Sequence, residues 1–184
     1  MNKAQMIDKY ASFIRQQLNK PQFLLVFGII FLVFQSVIAY IINPLGSEKV
    51  LQLQTTFSVT TFQQIISEWR AYGLLPHYFQ HYYLDLFLHP LAYSLFLATA
   101  LAMVMNRSEV STQYNFVLFL PFLAGTGDIF ENVMHLLLLT HTELINAFMV
   151  GLSACFANGK WLLCGVCLVL IAWWGVKAWK KNNK

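Results

Sequence analysis

Charge is what this chain has least of. Aspartate, glutamate, lysine and arginine make up 11% of its 184 residues, against 58% hydrophobic side chains. That balance excludes an ordinary water-soluble globule. Residues 22–42 carry no charge at all. The run is too long for a signal-peptide core, and no Ala-x-Ala-like site follows it, so an uncleaved anchor is expected. Internal repeats and low-complexity tracts are also lacking, which leaves one membrane domain (21–179) between short tails (1–20 and 180–184).

Four apolar runs have about the length that crosses a bilayer core: 22–42, 84–105, 116–139 and 161–179. The few basic residues collect at the two ends. Lys3, Lys9, Arg15 and Lys20 face one acid, Asp8, and Lys177, Lys180, Lys181 and Lys184 face none. In the connection 43–83, Lys49 and Arg70 are balanced by Glu48 and Glu68. The positive-inside rule then puts both termini in the cytoplasm, which needs an even number of crossings. Topology accounts for the basic excess, so the expected partner is the bilayer and not nucleic acid.

The predicted fold is all-α, a four-crossing bundle. An outer amphipathic helix is expected between the first two crossings, where Phe62, Ile65, Ile66, Trp69 and Tyr72 recur at helical spacing. Residues 1–20 show a weaker amphipathic pattern (Met6, Tyr10, Phe13, Ile14, Leu18), which fits a helix on the membrane surface. The segment 77–83 is dense in aromatics and reads as an interfacial belt. Residues 144–157 are apolar but too short to cross. Ending at Asn158-Gly-Lys160, they predict a shallow or re-entrant segment, with a continuous long helix as the alternative.

The polar residues that do occur in the apolar runs are concentrated. Asp128, Glu131 and His135 stand at i, i+3 and i+7, which confines them with Asn132 to one helical sector about 100° wide. A charge near mid-membrane costs at least about 2.5 kcal/mol, so these groups must face protein or water. Asp85 and His89 stand at i, i+4 at the start of the second crossing, Gln35 interrupts the first, and Lys160 begins the last. Counting about 1.5 Å per residue puts all of them in the outer half of the bundle, with Asp85 and Lys160 at its mouth.

Two neighbouring carboxyls that do not ionise together suit proton transfer. Asp128, Glu131, His135 and His89 are therefore the candidate catalytic groups, and Asp85, Asn132, Gln35 and Lys160 the candidate ligand-binding groups. A lipid-like or isoprenoid molecule is the expected ligand, to be bound or transformed. The alternative is a non-catalytic membrane or scaffold protein whose polar cluster only fixes the helices. No metal or cofactor is assigned, because neither Glu-x-x-His nor His-Glu-x-x-His spacing occurs. A proton-coupled transporter would need a homodimer, since four crossings show no repeat.

Cys164-Gly-Val-Cys167 lies near the start of the last run. With four crossings and a long first loop, it resembles the vitamin K epoxide reductase-like family. That resemblance implies a quinone-linked thiol oxidoreductase acting through Cys164 and Cys167. The loop 43–83 has no cysteine, so the family's relay pair is missing, and a chance pair of small residues is the other reading. Separately, Tyr83-Leu-Asp-Leu-Phe-Leu-His-Pro, Asp128-x-x-Glu-Asn and Lys160-Trp together resemble a group of small bacterial four-crossing membrane proteins without an assigned reaction. This implies the bacterial inner membrane. The plan is also similar to that of sterol-isomerase-like membrane proteins, at the level of architecture.

Overall fold

The computed structural model describes residues 3–183. Met1, Asn2 and Lys184, and the side chains of Lys3, Ala4, Gln5, Ile7 and Asn182, lie outside the described residues, so part of the charge expected in the two tails does too. The described residues are helical almost throughout and contain no strand. The helices are α1 (Lys3–Leu18), α2 (Pro21–Ile42), α3 (Ser47–Thr55), α4 (Val59–Ala71), α5 (Leu75–Asp85), α6 (Leu88–Arg107), α7 (Leu120–Thr140) and α8 (Ala147–Asn182). Four stretches are long and apolar enough to cross a membrane: Pro21–Leu45, Leu88–Arg107, Thr112–Thr140 and Ala147–Lys181.

The chain forms two compact units. One comprises Met1–Phe31, Leu91–Gly125 and Leu162–Lys184, and the other Leu32–Pro90 and Thr126–Trp161. In the first, Tyr93, Leu97, Leu101, Met105, Leu118 and Trp174 build the core. Ser94, Ala98 and Ala102 run along one side of α6 and are buried. Side chains this small allow close helix packing, and Ser94 Oγ donates to the Pro121 carbonyl at 2.8 Å. Arg15, which sits in the expected surface helix, is buried instead. Its guanidinium donates to Asn106 Oδ1, Asn115 Oδ1 and the carbonyls of Met105 and Val110, all at 2.8–2.9 Å. Met6, Tyr10 and Phe13 of the same helix are exposed.

In the second unit, Leu45, Leu53, Phe62, Trp69, Tyr78, Leu138 and Val150 form the core. Helix α4 buries Phe62, Ile65, Ile66 and Trp69 and leaves Gln63, Gln64, Ser67 and Arg70 exposed, while Tyr72, expected on the apolar side, is exposed. Ser58 caps the helix, its Oγ accepting from Thr61 N at 3.2 Å. Gly73 ends it with φ +66°, a conformation glycine adopts without steric cost, and Leu74 N returns to the Trp69 carbonyl at 2.7 Å.

One expectation changes. The second crossing is not one helix from residue 84: α5 stops at Asp85 and α6 starts at Leu88. Of the two readings of 144–157, the continuous long helix is the one found, because α8 runs unbroken through Asn158-Gly-Lys160. Asn158 Nδ2 donates to the Ala154 carbonyl at 2.8 Å, and no proline interrupts the helix. A glycine without a following breaker lowers helix stability but does not end the helix.

Candidate functional site

The end of α5, the first turn of α6, the middle of α7 and Lys160 of α8 meet within the second unit. Asp85, His89, Asp128, Glu131, Asn132, His135 and Lys160 are all buried. Helix α7 supplies four of them because 3.6 residues per turn keeps positions 128, 131, 132 and 135 on one side. Gly127 faces α8, where a Cβ would make ordinary contacts, 3.6 Å from the Phe156 carbonyl oxygen and 3.8 Å from Lys160 Cβ.

Lys160 is the centre of the cluster and not its rim. Its Nζ donates to Asp128 Oδ1 at 2.5 Å. It also stands 2.7 Å from Glu131 Oε2, an ion-pair contact without hydrogen-bond angles. One ammonium thus serves two carboxylates. Asn132 Nδ2 donates to Asp128 Oδ1 at 3.3 Å and to the Asp85 carbonyl at 2.8 Å, tying α7 to the end of α5. The cost of leaving that terminal carbonyl unpaired in an apolar interior is removed.

Asp85 lies between two imidazoles. Its Oδ1 is 2.8 Å from His89 Nδ1, and its Oδ2 is 3.6 Å from His81 Nε2. Asp85 and His89, at i and i+4, are paired even though a helix break separates them. His89 Nε2 lies 3.0 Å from Gln35 Oε1, so α2 reaches the cluster through that amide. His81 Nδ1 faces the Tyr78 carbonyl.

Glu131, four residues before His135, does not orient it, since Oε1 is 3.8 Å from His135 Nδ1. Tyr78 does, with its hydroxyl 3.1 Å from the same nitrogen. Burial, reinforced by the Glu131 carboxylate, raises the Tyr78 pKa well above its ordinary value, so the hydroxyl keeps its proton, and the direction of the bond follows the His135 tautomer. His135 Nε2, Glu131 Oε1 and Asn132 Oδ1 are buried without a hydrogen-bond partner among the described residues.

Sequence reasoning missed Tyr78 and His81. Their stretch reads as an interfacial aromatic belt, yet Tyr78, His81 and Tyr82 are buried and only Tyr83 of the neighbouring tyrosines is fully exposed. Tyr78 packs on Trp69 with ring centroids 5.1 Å apart, and Phe62 on His135 at 5.7 Å. The polar cluster therefore borders the aromatic core of its unit. Histidines four residues before and after one acid (His81, Asp85, His89) are the signal that could have marked the segment. Cys164 and Cys167 belong to the other unit, on α8, and are thiols. Neither a family model, a curated protein nor a solved structure matches this chain, and the resemblances noted in the sequence gain no support from those comparisons.

Proposed function

We propose that this chain is an integral protein of a bacterial inner membrane, with both termini cytoplasmic, whose buried cluster binds or transforms a lipid-like or isoprenoid molecule. The supporting observation is the pair Glu131 and His135. Both are fully buried, and the Glu131 carboxylate oxygens and His135 Nε2 have no hydrogen-bond partner among the described residues. Buried polar atoms in native proteins are normally satisfied, and exceptions concentrate where a ligand or a reaction uses them. Phe62, Trp69 and Tyr78 beside them supply the apolar contact an amphiphile needs.

In this reading Glu131 and Asp128 hold the polar head or exchange a proton with it. Lys160 stabilises whichever carboxylate is charged. His135, held by Tyr78, offers its unpartnered Nε2, and His89 is held by Asp85 and Gln35. The lysine-rich ends of the chain support the proposed orientation.

A second reading is favoured by the Lys160 contacts at 2.5 and 2.7 Å. They suit a purely structural clasp between α7 and α8. Native mass spectrometry of the mildly solubilised protein, with extracted lipids identified, separates the two. A particular lipid or quinone retained by the wild type and lost from a folded Asp128→Asn, Glu131→Gln variant supports the binding site. Equal, unselective lipid in both, with only the variant's melting temperature lowered, leaves the clasp.

A further inference from the structure

Three buried acids, Asp85, Asp128 and Glu131, share the cluster with one ammonium, Lys160, which contacts the last two. Asp85 faces the imidazoles of His89 and His81 instead. Donor atoms from different helices thus converge on one buried point, the arrangement a bound cation needs.

The geometry points to a divalent transition-metal ion bound by Asp85, His89 and Asp128. One donor atom from each of these residues lies within 4.8 Å of the other two. The 2.8 Å between His89 Nδ1 and Asp85 Oδ1 suits two donors on one ion, because ligands at about 2.1 Å stand roughly 3 Å apart at right angles. The ion then replaces the proton otherwise shared by that pair, and binding releases it. An imidazole with two carboxylates is a donor set for zinc, manganese or iron(II).

The surroundings match what holds metal ligands in place. Gln35 Oε1 lies 3.0 Å from His89 Nε2, so it accepts the Nε2 proton and leaves Nδ1 for the ion. Asn132 Nδ2 and Lys160 Nζ both engage Oδ1 of Asp128, and a carboxylate has a second oxygen to turn to the ion. His81 Nε2, 3.6 Å from Asp85 Oδ2, is the next imidazole. Sequence spacing hides the set because the ligands come from three helices. The inference is independent of the lipid reading, since it concerns metal retention alone.

The test uses the full chain in mild detergent, stripped with a chelator, desalted, and then titrated with Zn²⁺ and Mn²⁺. Expected are about one ion per chain by elemental mass spectrometry and a rise in melting temperature with metal concentration. His89→Ala and Asp85→Asn should lose both effects. Gln35 is exposed, so Gln35→Leu is expected to fold and should bind about 10–100-fold more weakly. Cys155→Ser should match the wild type. Visible absorption of Co²⁺ on the wild-type chain reports nitrogen and oxygen ligation without any variant. Wild-type protein that takes up no ion and shows no metal-dependent melting overturns the proposal, and so does uptake that Gln35→Leu and His89→Ala leave unchanged. A chain that binds metal but retains no selected lipid keeps this inference and removes the lipid reading.

Discussion

A lysine shared by two carboxylates at 2.5 and 2.7 Å is stable only while all three are present. Removing Lys160 alone leaves Asp128 and Glu131 facing each other without a cation. Lys160→Met should therefore destabilise the protein by about 3–5 kcal/mol, the usual penalty for breaking a buried pair from one side. Adding Asp128→Asn and Glu131→Gln to that variant should recover much of the loss, because amides need no counter-charge. Unfolding in sodium dodecyl sulfate titrations would show it, and a triple variant no more stable than Lys160→Met would exclude this account of the clasp. His81 gives a pH prediction. Burial lowers its pKa, and the Asp85 carboxylate offsets part of that. The folded state thus prefers neutral imidazole, while the unfolded chain takes up a proton near pH 6.5. Stability is fully present above that pH and falls as the medium is acidified through it. Melting temperatures of wild type and His81→Asn, compared between pH 7.5 and 5.5, should show a shallower decline in the variant.

Helix α1 is the element whose role differs most from its sequence signature. Its apolar side chains Met6, Tyr10 and Phe13 are exposed, and Arg15 fastens it through four hydrogen bonds. The planar guanidinium reaches two asparagines and two carbonyls at once, which an ammonium cannot do. Both Arg15→Lys and Arg15→Ala should therefore raise hydrogen exchange across Lys3–Leu18 at least tenfold, because a loss of about 1.5 kcal/mol exceeds one decade. Unchanged protection would mean that apolar packing holds α1 instead. The end of α6 offers a stabilising change. Glu109 has φ +53°, and Val110 N closes the turn on the Met105 carbonyl at 2.9 Å, a position usually held by glycine. Glu109→Gly should gain up to about 1 kcal/mol, although it gives up the exposed Lys181 partner. These elements show where the sequence was legible. The long helices follow from apolar runs, and the side of α7 carrying Asp128, Glu131, Asn132 and His135 follows from helical period. Lys160 was legible as a polar residue near the site, but its contacts with Asp128 and Glu131 come from the packing of α8 on α7, which no local pattern reports. Arg15 was hidden because its partners Asn106 and Asn115 are 91 and 100 residues away, a separation no local pattern reports. Tyr78 and His81 were hidden because a buried aromatic cluster and a membrane-interface belt have the same composition.

Across the whole molecule, burial divides the long helices by their chemistry. The most apolar stretch of α2 is 6% buried and that of α8 11%, against 67% for α6. Leu25, Leu32, Leu162, Val169 and Trp173 stand more than half exposed. Water would drive such surfaces together, whereas hydrocarbon solvates them and demands only that the backbone be satisfied within each helix. The cluster's acids, imidazoles and ammonium lie on α5, α6 and α7 and at Lys160 of α8, where they are buried, and Gln35 reaches them from α2. Four crossings, if all are made, return the chain to its starting side. That makes a labelling prediction that depends on the number of crossings and on no detail of the site. In a background with Cys155, Cys164 and Cys167 replaced by serine, single cysteines are placed at Gln17, Glu48 and Asn183, none of them buried. A membrane-impermeant maleimide added to intact cells should label Glu48→Cys and spare Gln17→Cys and Asn183→Cys. Permeabilised cells should show all three labelled. Labelling of one terminus without the other would mean an odd number of crossings, and α8 would be the first helix to reassign. At 36 residues it is about 54 Å long, well beyond an approximately 30 Å core, so its membrane-embedded part must be the stretch that contains Lys160 or the one that follows it. Labelling of both termini from outside, with Glu48→Cys spared, would keep four crossings and invert the protein. The buried cluster would then face the opposite compartment, and the lysine-rich ends would be a departure from the positive-inside rule.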